Sequence, residues 1–336
     1  MQMEWIYLII GLTLLVVAVV DALWTTLWID GSGGPVTARV TTLIWRFCLK
    51  TTGRDKHHTL SLFGPVIVTT AVVLWVLMIW MGWVLVFSAD DQALWNKNDS
   101  IYSDWTDRIY FVAYSMFTMG NGDIIPAADK WQVITGLCTA SGMLLVTLSV
   151  TYLLNVVSAA VQKRAFATQV LGLGRTPAEF VQNCWNGHDF RDLDLVLNSL
   201  ASQLSALGEQ YRAYPVLQYY HAAHAQKSPP LAIAVLDEAL LIFQHGIAPE
   251  QRPNIVLLRS AQSAIDSFMT TLPSAFIKTA DSPPVPPDLD KLRSRGIPVG
   301  NRDTFLTKLN ADAERRKKLL GLVRNDGWRW MEGAYE

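Results

Sequence analysis

Apolar residues fall into three long runs, and the stretches between them follow patterns of their own. Trp5 to Ile29 contains no Asp, Glu, Lys or Arg apart from Asp21. Gly64 to Ser88 and Trp131 to Gln162 contain none at all. A helix that crosses a bilayer needs about 20 apolar residues, so three transmembrane helices are predicted. Between the first two, Val36, Val40, Leu43, Ile44 and Phe47 recur at helical spacing, with Arg39, Arg46 and Lys50 on the other face. That pattern predicts a basic amphipathic helix lying on the membrane surface. Beyond Ala165 the pattern is again helical. Thr176-Pro177-Ala178-Glu179 is a capping box with proline at the first helical position, and leucine recurs at helical spacing from Leu193 to Leu207. Helices follow over Pro215–Gln226, Pro230–His245 and Pro253–Leu272. Ser282–Asp288 is a proline-rich linker, and Asp303–Trp328 closes the chain as one helix with its ERRKK run on a solvated face.

The stretch between the second and third spans is no ordinary loop. Asp104 is placed to cap a helix, and Asp107 three positions later suits its positive end. Arg108 to Phe117 then gives about 15 Å of apolar and aromatic helix, half of a bilayer. Thr118-Met119-Gly120-Asn121-Gly122-Asp123 follows at once. A half-length helix leading into a glycine-punctuated loop predicts a re-entrant element. Non-helical backbone at membrane depth is tolerated where it lines a cavity or is buried in protein.

Only 17% of the 336 residues are charged, mean hydropathy is +0.22 and there are 13 Trp. A soluble domain carries about 25% charged residues, so a wholly soluble chain is excluded, and ample apolar surface excludes disorder. A net charge of -1 gives no basic bias toward nucleic acid. The deficit is local, since Ala165 to Glu336 holds 18 basic and 18 acidic residues. Loop charge sets orientation. Arg39, Arg46, Lys50, Arg54 and Lys56 outnumber Asp30 and Asp55 in the first loop. Asp90, Asp91, Asp99, Asp104 and Asp107 outnumber Lys97 and Arg108 in the second, and Lys163 and Arg164 end the third span. The first loop and the C-terminal half are therefore expected to be cytoplasmic, with the N-terminus outside. With Glu4 in place of a basic start, and an apolar run too long for a signal, the first span is expected to stay uncleaved. Cys48, Cys138 and Cys184 offer no external pair and no CxxC, so neither a disulfide nor a cysteine metal site is expected.

Span, half-helix, T-x-G-x-G-D, span resembles the pore module of the potassium channel superfamily, in its prokaryotic pore-loop form. Here TMGNGD stands where that family usually has TVGYGD, and the resemblance covers about Gly64 to Arg164. It implies an all-α membrane protein that assembles as a homotetramer, because one loop cannot surround an ion. It implies ion sites made by the carbonyls of Thr118, Met119, Gly120 and Asn121 and by the Thr118 hydroxyl, with Gly122 completing the selectivity filter and Asp123 at the outer mouth. Carbonyls replace the water shell of K+. They point one way when right- and left-handed backbone alternate, which glycine permits. The Asn121 departure leaves two readings side by side, a potassium-selective channel and a weakly selective Na+/K+ channel. A rival of another class is a membrane-anchored signalling or interaction protein with a non-conducting pore relic. No enzyme activity is expected, and no cofactor apart from permeant K+. The expected location is a plasma membrane, a bacterial inner membrane.

The third span is expected to line the pore, with Met143, Val146, Val150, Leu154 and Ser158 toward the axis and Val150 or Leu154 as an apolar constriction. Gly142, 19 residues after Asp123, is either a gating hinge or a close-packing site, and Gly136 is a second candidate. Asn155 faces the pore or bonds across helices. Asp21 is a functional acid by default or pairs with a basic group of the next segment. The first loop looks like the interfacial helix of inward rectifiers, and Arg39, Arg46 and Lys50 suit anionic lipid. His57 and His58 suit a pH sensor or are simply solvated. His221 and His224 fall at i, i+3 on one predicted helix face, with His188 and His245 elsewhere, and no carboxylate or cysteine pairs with them as a metal site would require. Gly172-Leu173-Gly174 looks like a dinucleotide-binding turn, but no strand pattern follows it. Three domains are expected: residues 1–63 as the extra span and interfacial helix, 64–164 as the pore, and 165–336 as an α-helical cytoplasmic domain that assembles and gates the tetramer.

Overall fold

The computed structural model describes residues 2–29, 33–52, 56–272 and 278–330; Asp30, Arg54 and Asp55 of the loop charge count lie outside them. By packing, the chain forms two compact units. One comprises Met1–Ile44 and Pro65–Val156, the other Trp45–Gly64 and Val157–Glu336. Three helices run on from one unit into the other, and each unit is described separately below.

In the first unit, α1 (Gln2–Leu27), most of α3 (His57–Phe87) and the start of α5 (Asp129–Leu173) are the long apolar helices. All three are long and apolar enough to cross a membrane. The third exceeds its sequence limits: 45 helical residues reach about 67 Å, roughly twice a hydrocarbon core. Contact between α1 and α3 depends on glycine. A Cβ on Gly11 would lie 2.8 Å from the Gly82 carbonyl, and one on Gly82 would lie 2.8 Å from Leu15. Two backbones approach this closely only without side chains, the usual device where lipid removes the hydrophobic drive between helices. Beneath them Phe87 packs edge-on against Phe111 at 5.2 Å and beside Trp131 at 5.4 Å.

Asp21 is fully buried in this unit, but its partners are not basic residues. Its Oδ1 accepts from the N–H groups of Val36 at 2.7 Å and Thr37 at 3.1 Å. Its Oδ2 accepts from the Thr37 hydroxyl and from the Trp75 indole at 2.9 Å. These N–H groups open α2 (Pro35–Thr52), so the acid caps that helix from outside it, where unpaired donors and the positive dipole end welcome a carboxylate. Gly34 has no room for a side chain against Asp21. On α2 itself Arg39, Arg46 and Lys50 are exposed, as are Leu43 and Phe47, while Thr37, Thr41 and Cys48 form the buried stripe.

A three-stranded antiparallel sheet follows α3, in the order β2 (Ile101–Tyr102), β1 (Leu94–Asn96), β3 (Ile124–Pro126). Strands of two and three residues are too short to show alternation in sequence. The sheet fixes the chain that leaves the re-entrant loop, pairing Asn96 with Ile124 and Trp95 with Ile125.

The second unit is helical. α7 (Leu193–Ala213) packs along α9 (Ile255–Thr271), and α8 (Pro229–Leu241) is buried on all sides. α6 (Pro177–Asn183) begins at the predicted capping box, Thr176 accepting from the Glu179 N–H at 3.2 Å. Gly172 and Leu173 lie in the last turn of α5.

Three sequence expectations fail here for local reasons. Pro215–Gln226 is not a helix but two short 3-10 turns, Pro215–Tyr219 and Ala225–Lys227. The buried Lys163 ammonium takes the carbonyls of Leu217 at 3.0 Å and Tyr220 at 2.8 Å, which a helix would keep for itself. His221 and His224 therefore share no helix face. The final helix is two, α11 (Arg302–Ala311) and α12 (Ala313–Asn325), broken at Asp312; α10 (Leu289–Ser294) precedes them. The ERRKK run is not wholly solvated. Arg316 is 2% exposed and forks onto Glu238 of α8 at 2.6 and 3.2 Å, and Arg315 pairs with Asp237 and Asp266. Burial pushes the Glu238 carboxyl up to about 7, with the Arg316 guanidinium pulling against it.

Candidate functional site

The re-entrant element is built from α4 (Trp105–Met116), whose Asp104 carboxylate accepts from the Asp107 N–H at 2.8 Å. Arg108 in its first turn is buried, with a terminal nitrogen 3.5 Å from an Asp91 carboxylate oxygen. The helix ends at Phe117, and Met119 N–H still reaches the Tyr114 carbonyl at 2.8 Å. Its last carbonyls, and so the negative end of its dipole, stand at the start of the loop.

From there the backbone alternates. Thr118 has φ 57, Gly120 φ 62 and Gly122 φ 78, so every second residue is left-handed. Glycine takes this form freely. Sequence reasoning anticipated it at Gly120 and Gly122 but not at Thr118, where a β-branched residue in left-handed backbone is rare and strained. Phe117 through Gly122 are exposed in the single chain.

Two tyrosines of α4 tie down this loop. The Asn121 amide donates to the Tyr110 hydroxyl, and the Tyr114 hydroxyl donates to the Ile124 carbonyl. Asn121 thus makes a polar tie to α4 at the position where TVGYGD would place a tyrosine. The signal that would have revealed this bond is the pair itself: a loop amide eleven residues after a helix phenol. Lys97, which the sequence offered only as loop charge, lies at the far end of the loop from α4. Its N–H donates to the Asp123 carbonyl at 2.9 Å and its ammonium to the Gly122 carbonyl at 3.2 Å. The Gly122 oxygen is therefore engaged by a fixed cation, unlike a free ion ligand. The Asp123 carboxylate accepts from the Ile124 N–H at 3.0 Å. Nearby, Asp90 meets Lys130 at 3.0 Å and Trp131 at 3.2 Å. Partial burial raises its pKa, but the Gln92 N–H, Lys130 and Trp131 outweigh that and hold the carboxyl below its usual range.

α5 passes behind this loop without a break. Its buried stripe is Cys138, Gly142, Leu145, Ser149, Tyr152 and Val156, whereas Met143, Val146, Val150 and Leu154 lie together on an exposed face with Asn155 and Ser158. A Cβ on Gly142 would run into the Met116 carbonyl. The structure thus gives Gly142 a packing role beneath the last turn of α4. Gly142→Ala should displace that turn at about 1–3 kcal/mol of overpacking, lowering the melting temperature in detergent by several degrees. Gly136 has open space at its Cβ position. Among the described residues, no three His, Cys, Asp or Glu side chains gather to hold a metal ion.

An outer span, a half-length helix whose carbonyl end meets an alternating loop, and an inner span together define a pore-loop ion channel. The ion channel family profile matches residues 68–159, from α3 through the loop into α5. Over 324 residues the chain is 42% identical to the membrane protein YdjJ of Bacillus subtilis (strain 168), covering 96% of this chain and 95% of that one. The chain belongs to this ion channel family and is a membrane protein. No solved structure matches it.

Proposed function

We propose that the protein is a homotetrameric, potassium-conducting channel of a bacterial inner membrane, with its N-terminus outside and its C-terminal half in the cytoplasm. The observation that carries this reading is the left-handed backbone at Thr118, Gly120 and Gly122. That alternation is what lines carbonyls up along an axis, and carbonyls from four chains replace a cation's water shell. The carbonyls of Thr118, Met119, Gly120 and Asn121 hold K+, and Asp123 shapes the outer mouth. The stripe Met143, Val146, Val150 and Leu154 faces the axis, where its apolar rings close the pore by dewetting. Arg39, Arg46 and Lys50 meet anionic headgroups. Purified protein in planar bilayers, with K+ on one side and Na+ on the other, tests the reading: a reversal potential displaced toward that of K+ supports it. Absence of current under every condition tried would favour the interaction-protein rival.

The weakly selective reading draws on one observation, that an amide stands where the family has a ring. The Asn121–Tyr110 bond argues for a held diameter instead. Tyr110→Phe removes one hydroxyl and nothing else, and a hydrogen bond of this kind is worth about 1 kcal/mol. The K+/Na+ permeability ratio from reversal potentials should fall, by up to about tenfold. An unchanged ratio would show that the bond does not govern selectivity.

A further inference from the structure

A cluster in the second unit has no part in the pore reading. His57 opens α3, His221 lies in the loop after the Pro215–Tyr219 turn, and Asp326 and Trp328 follow α12. His57 Nδ1 and His221 Nε2 are 2.8 Å apart, and His221 Nδ1 is 3.2 Å from Asp326 Oδ1. Trp328 lies flat on the His57 ring, with centroids 3.8 Å apart and planes 5° from parallel. Its indole N–H donates to Asp326 Oδ2 at 3.1 Å, and the Ser228 hydroxyl donates to the same oxygen at 3.4 Å.

Proton counting shows what this geometry tolerates. With both imidazoles neutral, His57 Nδ1–H donates to His221 Nε2 and His221 Nδ1–H donates to Asp326, so each bond has one donor and one acceptor. One added proton is accommodated. It sits on His221 Nε2 and points at His57 Nδ1, which becomes the acceptor by shifting its own proton to Nε2, and Asp326 balances the charge. A second added proton is not, because two N–H groups would then face each other across 2.8 Å on two cationic rings. Other charged and titratable groups among the described residues also act on the cluster. Lys163 of α5 and Tyr211 of α7 both interact electrostatically with Asp326, so this carboxylate is already shared with an ammonium. His58 meets His224 edge-on at 5.1 Å, adding a second pair that gains positive charge in acid. Lys56 precedes His57, Arg164 follows Lys163 and Arg329 follows Trp328 in the chain.

We propose that His57, His221, Asp326 and Trp328 form a proton-operated latch that holds the first turn of α3 to the C-terminal segment at neutral pH and releases it in acid. α3 continues from His57 to Phe87 as the outer helix of the pore. Lys163, on the inner helix, holds the carbonyls of Leu217 and Tyr220 just ahead of His221. Both pore helices are thus tied into the same knot. The latch stands on its own geometry; its effect on conduction rests on the channel reading.

Hydrogen–deuterium exchange of the full-length protein in nanodiscs, at pH 5.5 and 7.5 and corrected for intrinsic rates, tests it. The open form binds the extra proton, so falling pH favours opening. Exchange in peptides spanning residues 56–66 and 215–228 should rise by up to about tenfold per pH unit on the acid side. In His57→Gln, which can hydrogen-bond but not titrate, exchange should no longer depend on pH in this way; His221→Gln gives the same test if the first variant folds poorly. Wild-type protection that is equal at both pH values overturns the latch, as does wild-type pH dependence surviving in both variants. Cation flux measured at the same two pH values separates the questions. A pH-dependent opening without flux at either pH supports the latch and overturns the channel, whereas flux with pH-independent protection overturns the latch alone.

Discussion

Gly120→Ala abolishes cation flux in reconstituted vesicles. The reason is conformational and not steric, since an added Cβ would meet nothing within 4 Å in the chain. Gly120 has φ 62, and left-handed backbone costs a residue with a side chain about 1–2 kcal/mol. That cost falls in each of the four chains of the proposed tetramer, around a single ion path. If the alanine relaxes to ordinary backbone, its carbonyl turns out of line and an ion site is lost. Flux should fall by more than about a hundredfold, since each tenfold step corresponds to only about 1.4 kcal/mol. Gly136→Ala is the control. It also has open space at Cβ, but it lies within α5, where alanine is the better helix former. Its flux should stay within about twofold of wild type, a change of well under 1 kcal/mol. Wild-type flux in Gly120→Ala would refute the carbonyl-filter reading.

Asp21→Ala removes most of the folded protein. The carboxylate accepts from two N–H groups of α2, from the Thr37 hydroxyl and from the Trp75 indole, with no exposure to solvent. Alanine leaves these donors stranded in a low-dielectric interior, at about 1–3 kcal/mol for each one that finds no other partner. A net loss of about 3–6 kcal/mol is expected, a large share of the stability of most domains. Asp21→Asn keeps one acceptor oxygen but turns an NH2 group toward donors, so its loss should be intermediate. Trp75→Phe removes one donor and leaves the carboxylate its other partners, so it should be the mildest of the three. Melting temperatures in detergent check this ranking. An Asp21→Ala protein as stable as wild type would remove Asp21 from the structural role and restore a functional one.

The three long apolar helices, the half-length helix and the glycine-punctuated loop were legible because each rests on a local rule. Twenty uncharged residues have few fates other than the bilayer. Asp104 and Asp107 announce a helix start within four residues, and Gly120 and Gly122 carry their conformational freedom in their own chemistry. Less legible was whatever depends on a partner distant in sequence. The left-handed Thr118 is held by its surroundings against its own preference. Pro215–Gln226 reads as a helix until Lys163 arrives from another element and claims two of its carbonyls. Arg315 and Arg316 look like solvated surface in a basic run, yet they pair with Asp237 and Glu238 across 78 residues of sequence.

The single acid of the first span shows the division most plainly. An unscreened carboxylate among apolar residues must find donors, and that much follows from Asp21 and its neighbours alone. Which donors they are depends on where α2 and Trp75 come to lie, which is a matter of packing. The same holds in the re-entrant loop, where glycine spacing dictates an alternating backbone, while folding decides that Asn121 meets Tyr110 and that Lys97 caps the Gly122 carbonyl. Local patterning specifies the solvent and conformation of each segment because those free energies are set residue by residue. Partner choice belongs to the tertiary structure because a hydrogen bond or ion pair forms only where two distant segments are brought within about 3 Å.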